Sequence, residues 1–420
     1  MKLNALLDVG VVAHEAADEV AVLLDLEAPA APKVDVQRPP ATLQVVLDRS
    51  GSMWGAPLEG AKAALSALVQ RLDPTDNFGL VAFDHQAQVV VPTGPLTDKE
   101  GAVERISSVT PGGSTDLSAG YLRALREIKR VGAAGATVLV ISDGHVNAGI
   151  EDADEFAALA GRAHGRGVVT ATLGYGEGYD ETLLAAIARS GNGNHVFAAD
   201  PDAAGAAIAK EVDGLLEKVV QAATLTVRME PSAELLRLYN DLPATHLGEG
   251  VVMVELGDLY AGERRKLLLK LSVPAMAALG LAQVATIEVG YVALARLAEE
   301  TVVVPIHVNV VPGDEAAQRI ADPVVRSEVL FQDAQEHKRL ASEAFEGGDV
   351  DAGERMLDQT MGLLGDAFDV APDSAKPGIE RELDEVAGLR RMTRSLGSSS
   401  ISKITRASFH EQNRKRGRES

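Results

Sequence analysis

Two patterns of apolar and polar residues divide the chain. Between residues 43 and 218, short continuous apolar runs alternate with amphipathic stretches, which is typical of a parallel sheet covered by helices on both faces. The predicted strands are 43–48, 78–83, 87–91, 136–142, 167–174 and 194–198, and the predicted helices are 57–72, 98–107, 117–130, 152–165, 180–189 and 201–218. This segment therefore predicts a doubly wound, Rossmann-like α/β domain.

The flanking segments follow other patterns. Residues 219–311 alternate with the two-residue period of a partly exposed sheet, which favours a β-sandwich. Strand-like runs at 9–13 and 19–26 precede the Pro39-Pro40 pair, and we expect them to complete the sandwich, so that the α/β domain is an insertion between its strands. The chain then turns helical, with the small-residue spacing of one tetratricopeptide-like hairpin and no second copy.

The predicted domains are sandwich strands at 1–37, the α/β domain at 41–218, the remainder of the sandwich at 219–312, a helical hairpin region at 313–395 and a flexible basic tail at 396–420. Residues 390–420 hold nine basic and two acidic residues, while the whole chain carries a net charge of −21. The tail is Ser-rich and poor in apolar residues, so we expect it to be solvated. The alternative is that this basic segment docks on the acidic body.

Composition narrows the class of protein. The net charge of −21 argues against general affinity for nucleic-acid phosphates or anionic lipids. The absence of cysteine excludes thiol catalysis, disulfides and Cys-type metal sites. The N-terminal residues lack the unbroken apolar stretch of a secretory signal, and the apolar run 271–287 is interrupted by Pro274 and Gly280. We therefore expect a cytoplasmic protein with no membrane span.

Candidate chemistry lies where the first strand of the α/β domain ends. Asp48, Ser50 and Ser52 follow one another at two-residue spacing, and the carboxyl ends of parallel strands form the ligand crevice of such sheets. A carboxylate with two hydroxyls offers the hard oxygen ligands that suit Mg²⁺, Mn²⁺ or Ca²⁺. The loops at 112–116 and 142–144 end at the same predicted edge. The sequence thus predicts a cation site where three loops converge.

These loops resemble a known family. DRSGS after an apolar strand resembles the D-x-S-x-S signature of von Willebrand factor A domains, and GGSTDLSAG and VISDG match that family's two further ligand motifs in order. The resemblance covers about residues 43–218 and, more loosely, the flanks resemble bacterial proteins with the domain inserted in a sandwich. It implies a metal-ion-dependent adhesion site formed by Asp48, Ser50, Ser52, Thr115 and Asp143. An open metal position would then bind an Asp or Glu of a partner protein.

Several residues have a second interpretation. Ser114 neighbours Thr115, and the ligand is placed at Thr115 because the following DLSAG aligns with the family pattern. Asp116 is a candidate rim residue, but an Asp that begins a helix is commonly a cap. Trp54 is either an exposed anchor at the rim or is buried against the first helix. His145 could reach the rim, but the matched motif needs no histidine, so a solvated loop position is favoured.

Two classes of function remain. The first is a non-enzymatic, metal-dependent protein-binding module or scaffold, which includes a recruiting subunit for a separate ATPase or chaperone complex, since the chain has no P-loop motif. The second is a Mg²⁺-dependent hydrolase or phosphatase in which Asp48 is the nucleophile. Phosphatases of that type carry a second acid two residues further on, where this chain has Ser50. The sequence therefore favours the binding module.

Overall fold

The structure, a computed structural model, describes residues 1–30, 40–132, 135–142, 146–175, 180–198, 205, 208, 218–240, 242–296, 298–393 and 397–413. It forms two compact units, one of Met1–Ala31 with Ala222–Ser420 and one of Pro32–Gln221. The strands are β1 (Lys2–Leu7), β2 (Val11–Ala13), β3 (Asp18–Glu27), β4 (Thr42–Asp48), β5 (Asn77–Phe83), β6 (Ala87–Pro95), β7 (Ala136–Ser142), β8 (Val168–Tyr175), β9 (Asn192–Ala198), β10 (Lys218–Met229), β11 (Glu234–Leu238), β12 (Ala244–Gly248), β13 (Val251–Tyr260), β14 (Arg264–Val273), β15 (Gly280–Ala293) and β16 (Ala298–Val311). The helices are α1 (Ala56–Arg71), α2 (Lys99–Ser107), α3 (Leu117–Ile128), α4 (Ala153–His164), α5 (Glu181–Ser190), α6 (Gly313–Ala316), α7 (Pro323–Glu346), α8 (Val350–Val370), α9 (Lys376–Met392) and α10 (Ser398–Asn413).

The second unit contains one six-stranded sheet in the order β6-β5-β4-β7-β8-β9. Its neighbouring strands run parallel except at the edge, where β6 is antiparallel to β5. The predicted Rossmann-like α/β fold is confirmed, with a mixed sheet. The predicted helix 201–218 lies almost entirely outside the described residues.

Strand β4 shows why the continuous apolar runs predicted this sheet correctly. Val45 and Leu47 pack on one face in a core with α1 and α2. Val46 faces the opposite core, which α3, α4 and α5 cover. Because both faces of the strand are buried, its side chains are either apolar or hydrogen-bonded. Since β4 is the third of the six strands in the sheet order, its last residue, Asp48, lies near the middle of the crevice edge.

The first unit contains two sheets, in the orders β1-β3-β14-β11 and β12-β13-β10-β15-β16-β2. Residues from the N-terminal segment enter both: β3 lies between β1 and β14, and β2 pairs in parallel with the end of β16. Three strands were not predicted, namely β1, β11 and β12. Their residues are only half-buried or exposed, so they lack the apolar run that marks a strand in sequence.

Helices α7 to α10 follow the second sheet, and the C-terminal helical region is confirmed. Within it, α7 and α8 form the predicted hairpin, and their apolar residues share a core with α9 and α10. The predicted flexible tail is wrong for residues 398–413, which form α10. Ile401 and Phe409 are almost fully buried there, and Ser402 exchanges hydrogen bonds with Ser342 of α7. Within the described residues, no helix is long and apolar enough to span a membrane.

Candidate metal centre

Asp48 is the buried anchor of the candidate centre. Its side chain is fully buried, one carboxylate oxygen accepts a hydrogen bond from the backbone N–H of Ser50 at 2.7 Å, and the other accepts from the hydroxyl of Ser142 at 2.6 Å. Burial raises the pKa of Asp48 above its ordinary value, the hydrogen bonds from Ser142 and Ser50 act in the opposite direction, and the charge of Asp84 raises it further. Burial thus makes the ionised form of Asp48 less stable, and a nearby cation would stabilise it.

The two serines of the first motif lie beside each other. The Oγ atoms of Ser50 and Ser52 are 3.1 Å apart, and a short 3₁₀ turn at Gly51–Met53 sets this spacing. Two adjacent ligands of an octahedral Mg²⁺, each about 2.1 Å from the ion, are separated by about 3.0 Å. The hydroxyl pair therefore fits a divalent cation, with Asp48 directly before this loop at the end of β4.

Thr115 and Ser114 differ sharply in their environment. Thr115 is 3% exposed, whereas Ser114 is an exposed loop residue. The backbone of Thr115 is held from both sides, because its N–H donates to Oδ1 of Asn147 at 2.9 Å and its carbonyl accepts from the N–H of Asn147 at 3.2 Å. Of the two candidates, Thr115 is the one with a fixed position at the base of the loop.

Backbone hydrogen bonds join the first motif to the loop that carries Thr115. The N–H of Gly51 donates to the carbonyl of Gly113 at 3.0 Å, and the N–H of Gly112 donates to the carbonyl of Arg49 at 2.6 Å. The structure thus brings the Asp48 and Thr115 loops together, as the sequence predicts. Asp143 and His145 lie outside the described residues, but Ser142 directly before them contacts Asp48.

The remaining rim candidates have clear positions. Asp116 caps α3, where its side chain accepts from the N–H of Ala119 at 2.9 Å and from the hydroxyl of Ser118 at 2.6 Å, so its structural interpretation holds. Trp54 is 78% exposed, which excludes burial against α1. It follows the serine loop directly and presents an aromatic surface to solvent.

Sequence reasoning missed Asp84, Arg49 and Asn147. Asp84 follows β5, a third strand that ends at this edge, and is buried with its carboxylate 3.1 Å from the guanidinium of Arg49. The position of Asp84 directly after an apolar strand could have indicated it from the sequence. Its pairing with Arg49 could be found only from the strand order. Among the described residues, no three Asp, Glu or His side chains converge as a metal cluster.

Comparison with known proteins identifies the family of the α/β segment. Residues 43–209 match the family model of the von Willebrand factor type A domain, so this segment of the chain is such a domain. A protein of Synechocystis, sll0103, is 28% identical over 244 residues, covering 56% of this chain and 58% of its own. The chain spans about half the length of the curated relatives it matches.

Two solved structures share the fold over nearly the whole chain. A von Willebrand factor type A protein from Catenulispora acidiphila has a TM-score of 0.74 at 15% identity and covers 97% of this chain and 96% of its own. The ArnB paralog VWA2 from Sulfolobus acidocaldarius has a TM-score of 0.65 at 14% identity, with 97% of each chain covered. At these identities the likeness concerns the fold alone.

Proposed function

We propose that this chain is a metal-dependent protein-binding module. A divalent cation, Mg²⁺ or alternatively Mn²⁺ or Ca²⁺, is held by the predicted ligands and captures an Asp or Glu carboxylate of a partner protein. The predicted ligands are Asp48, Ser50, Ser52, Thr115 and Asp143. The observation that carries the proposal is the pair of Oγ atoms 3.1 Å apart beside a fully buried carboxylate.

The charge of such a site explains its selectivity for an acidic partner. Hydroxyl ligands are neutral, so a cation bound mainly through them keeps net positive charge and attracts an external carboxylate. Both oxygens of Asp48 already accept hydrogen bonds, and Ser50 stands where a second catalytic acid would be needed. The proposal therefore includes no covalent step at Asp48.

Trp54 supplies the second element of the proposed interface. An exposed Trp beside a charged centre provides a large apolar contact area, and Trp is enriched among the residues that dominate binding energy. The proposed partner surface is accordingly an acidic side chain flanked by apolar residues, the first bound at the cation and the others at Trp54.

Calorimetric titration with Mg²⁺ tests the site directly. The wild-type chain is expected to bind one ion, and the double variant Ser50→Ala, Ser52→Ala is expected to bind none. The matched control is Ser107→Ala, Ser108→Ala, which removes two exposed hydroxyls of α2 and its cap and should bind as the wild type does. Equal Mg²⁺ binding by all three proteins contradicts the proposal.

Partner capture then tests the role of the ion. Proteins retained from lysate by the wild type in Mg²⁺ should be lost with EDTA and with the Ser50 and Ser52 variant, and retained by the control. If the Trp54→Ala variant binds Mg²⁺ normally but loses the same proteins, the aromatic contact is part of the interface. Retention of the same proteins under every condition excludes the cation as the bridge.

A further inference from the structure

Asp84 and Arg49 form a buried ion pair next to the candidate metal centre. Asp84 is 3% exposed, and Nη2 of Arg49 lies 3.1 Å from its Oδ2. The other carboxylate oxygen accepts from the N–H of Gln86 at 2.8 Å and lies 3.1 Å from Nδ1 of His85. Within the described part of the chain, both oxygens of this carboxylate thus contact nitrogen atoms of neighbouring residues.

The pair packs against the loop at 112–116, which carries the second ligand motif. A Cβ added at Gly112 would be 1.9 Å from Oδ2 of Asp84, so the loop backbone packs against the carboxylate. The carbonyl of Asp84 accepts from the N–H of Asp116, and the carbonyl of Arg49 accepts from that of Gly112. Arg49 itself stands between Asp48 and Ser50. A change in this pair therefore acts on the electrostatics of the site.

The geometry points to Arg49 as a residue that sets the charge of the metal site. Its guanidinium compensates the charge of Asp84, so that a bound cation keeps its attraction for an external carboxylate. This inference rests on the proposed function. Without Arg49, the site gains one uncompensated negative charge, which strengthens cation binding but weakens capture of an anion. Without Asp84, the guanidinium of Arg49 adds an uncompensated positive charge, which weakens cation binding and strengthens capture of an anion.

Three variants separate this role from simple structural support. They are Arg49→Gln, which removes the charge and shortens the side chain, Asp84→Asn, which is nearly isosteric, and the double variant. One unit of charge near a divalent ion changes its affinity by about five- to tenfold when the dielectric is largely that of water. We expect Arg49→Gln to bind Mn²⁺ about fivefold more tightly, Asp84→Asn about fivefold more weakly, and the double variant close to wild type.

Trp54 gives a direct readout of these affinities. It is the only tryptophan of the chain and lies two residues after Ser52, so bound Mn²⁺ should quench its fluorescence. Titration of acetate into the Mn²⁺-loaded proteins, followed by calorimetry, measures capture of a carboxylate. The order of the variants should reverse between the two titrations: the variant that binds Mn²⁺ most tightly should bind acetate most weakly.

Two results would overturn the inference. If both single variants weaken Mn²⁺ binding, the pair supports the loop without setting its charge. If the variants bind Mn²⁺ and acetate in the same order, the charge does not act on carboxylate capture. Thermal unfolding in EDTA identifies a variant that fails to fold, and Arg49→Met and Asp84→Leu are then measured in its place. Absence of Mn²⁺ binding by the wild type instead contradicts the proposed function.

Discussion

Lys338 of α7 and Glu382 of α9 form an ion pair in the core of the helical region. Both side chains are 0% exposed, and Nζ lies 2.6 Å from Oε1. The same oxygen accepts from Nε2 of Gln335 at 2.9 Å, while Oε2 of Glu382 is buried without a hydrogen-bond partner among the described residues. Glu385 is 3.8 Å from the ammonium and is partly exposed. The carboxylate of Glu382 therefore depends on Lys338 for its charge compensation.

Removal of the lysine alone should be severe. Lys338→Met leaves a fully buried carboxylate with one amide donor, and breaking a buried pair in this way costs about 3–5 kcal/mol. For a unit of this size, that corresponds to a fall in unfolding temperature of about 6–20 °C. Removing both charges with Lys338→Met and Glu382→Leu should restore the wild-type stability or exceed it by up to about 4 kcal/mol, because no charge then remains buried.

Far-ultraviolet circular dichroism during urea unfolding follows the helices of both units, while Trp54 fluorescence reports on the α/β unit, so a transition seen by circular dichroism alone belongs to the unit that contains Lys338. The matched control is Lys376→Met on α9, where the pair with Asp373 is exposed and its loss should cost less than about 1 kcal/mol. The reasoning is refuted if the double variant is as unstable as Lys338→Met. The cost would then come from lost packing of the lysine stem and not from the uncompensated carboxylate.

Two further predictions concern the first unit. Ile401→Ala should destabilise docking of α10 by about 2–5 kcal/mol because its side chain is 1% exposed, so amide exchange of residues 398–413 should accelerate; unchanged protection contradicts the assigned packing. Asp18 accepts two hydrogen bonds from the guanidinium of Arg319, and these bonds hold the pKa of Asp18 below its ordinary value. The ionised form is thus favoured in the folded state, so Asp18→Asn should cost about 1 kcal/mol at pH 7, and the difference should vanish only as the pH falls below about 4. A difference that already disappears between pH 6 and pH 5 in urea unfolding contradicts the lowered pKa.

The α/β unit could be predicted because its signals are local. Strands β4, β5, β7 and β8 are buried on both faces and therefore appear as continuous apolar runs. Asp48, Ser50 and Ser52 occur within five residues, so their proximity needs no knowledge of the fold. Thr115 lies in the loop between α2 and α3, and this loop is joined to the Asp48 motif by backbone hydrogen bonds of Gly112 and Gly113.

Other features depend on contacts that are distant in sequence. The Arg49–Asp84 pair exists because β5 is the neighbour of β4, which no local pattern reveals. Helix α10 was missed because Ser402, Thr405 and Ser408 were taken as solvated, although all three are buried. A weak signal was present, since Ile401, Ile404 and Phe409 recur with roughly helical spacing.

The net charge of −21 and the proposed capture of an acidic partner act over different distances. At physiological ionic strength, charges on the surface are screened beyond about 8 Å, so the acidic body repels a partner only weakly until it is close. In the proposed complex, the partner carboxylate would meet a cation held partly by neutral hydroxyls, with Arg49 and Asp84 cancelling each other nearby. The local charge at the Asp48 edge, and not the charge of the whole chain, therefore decides which side chain can bind there.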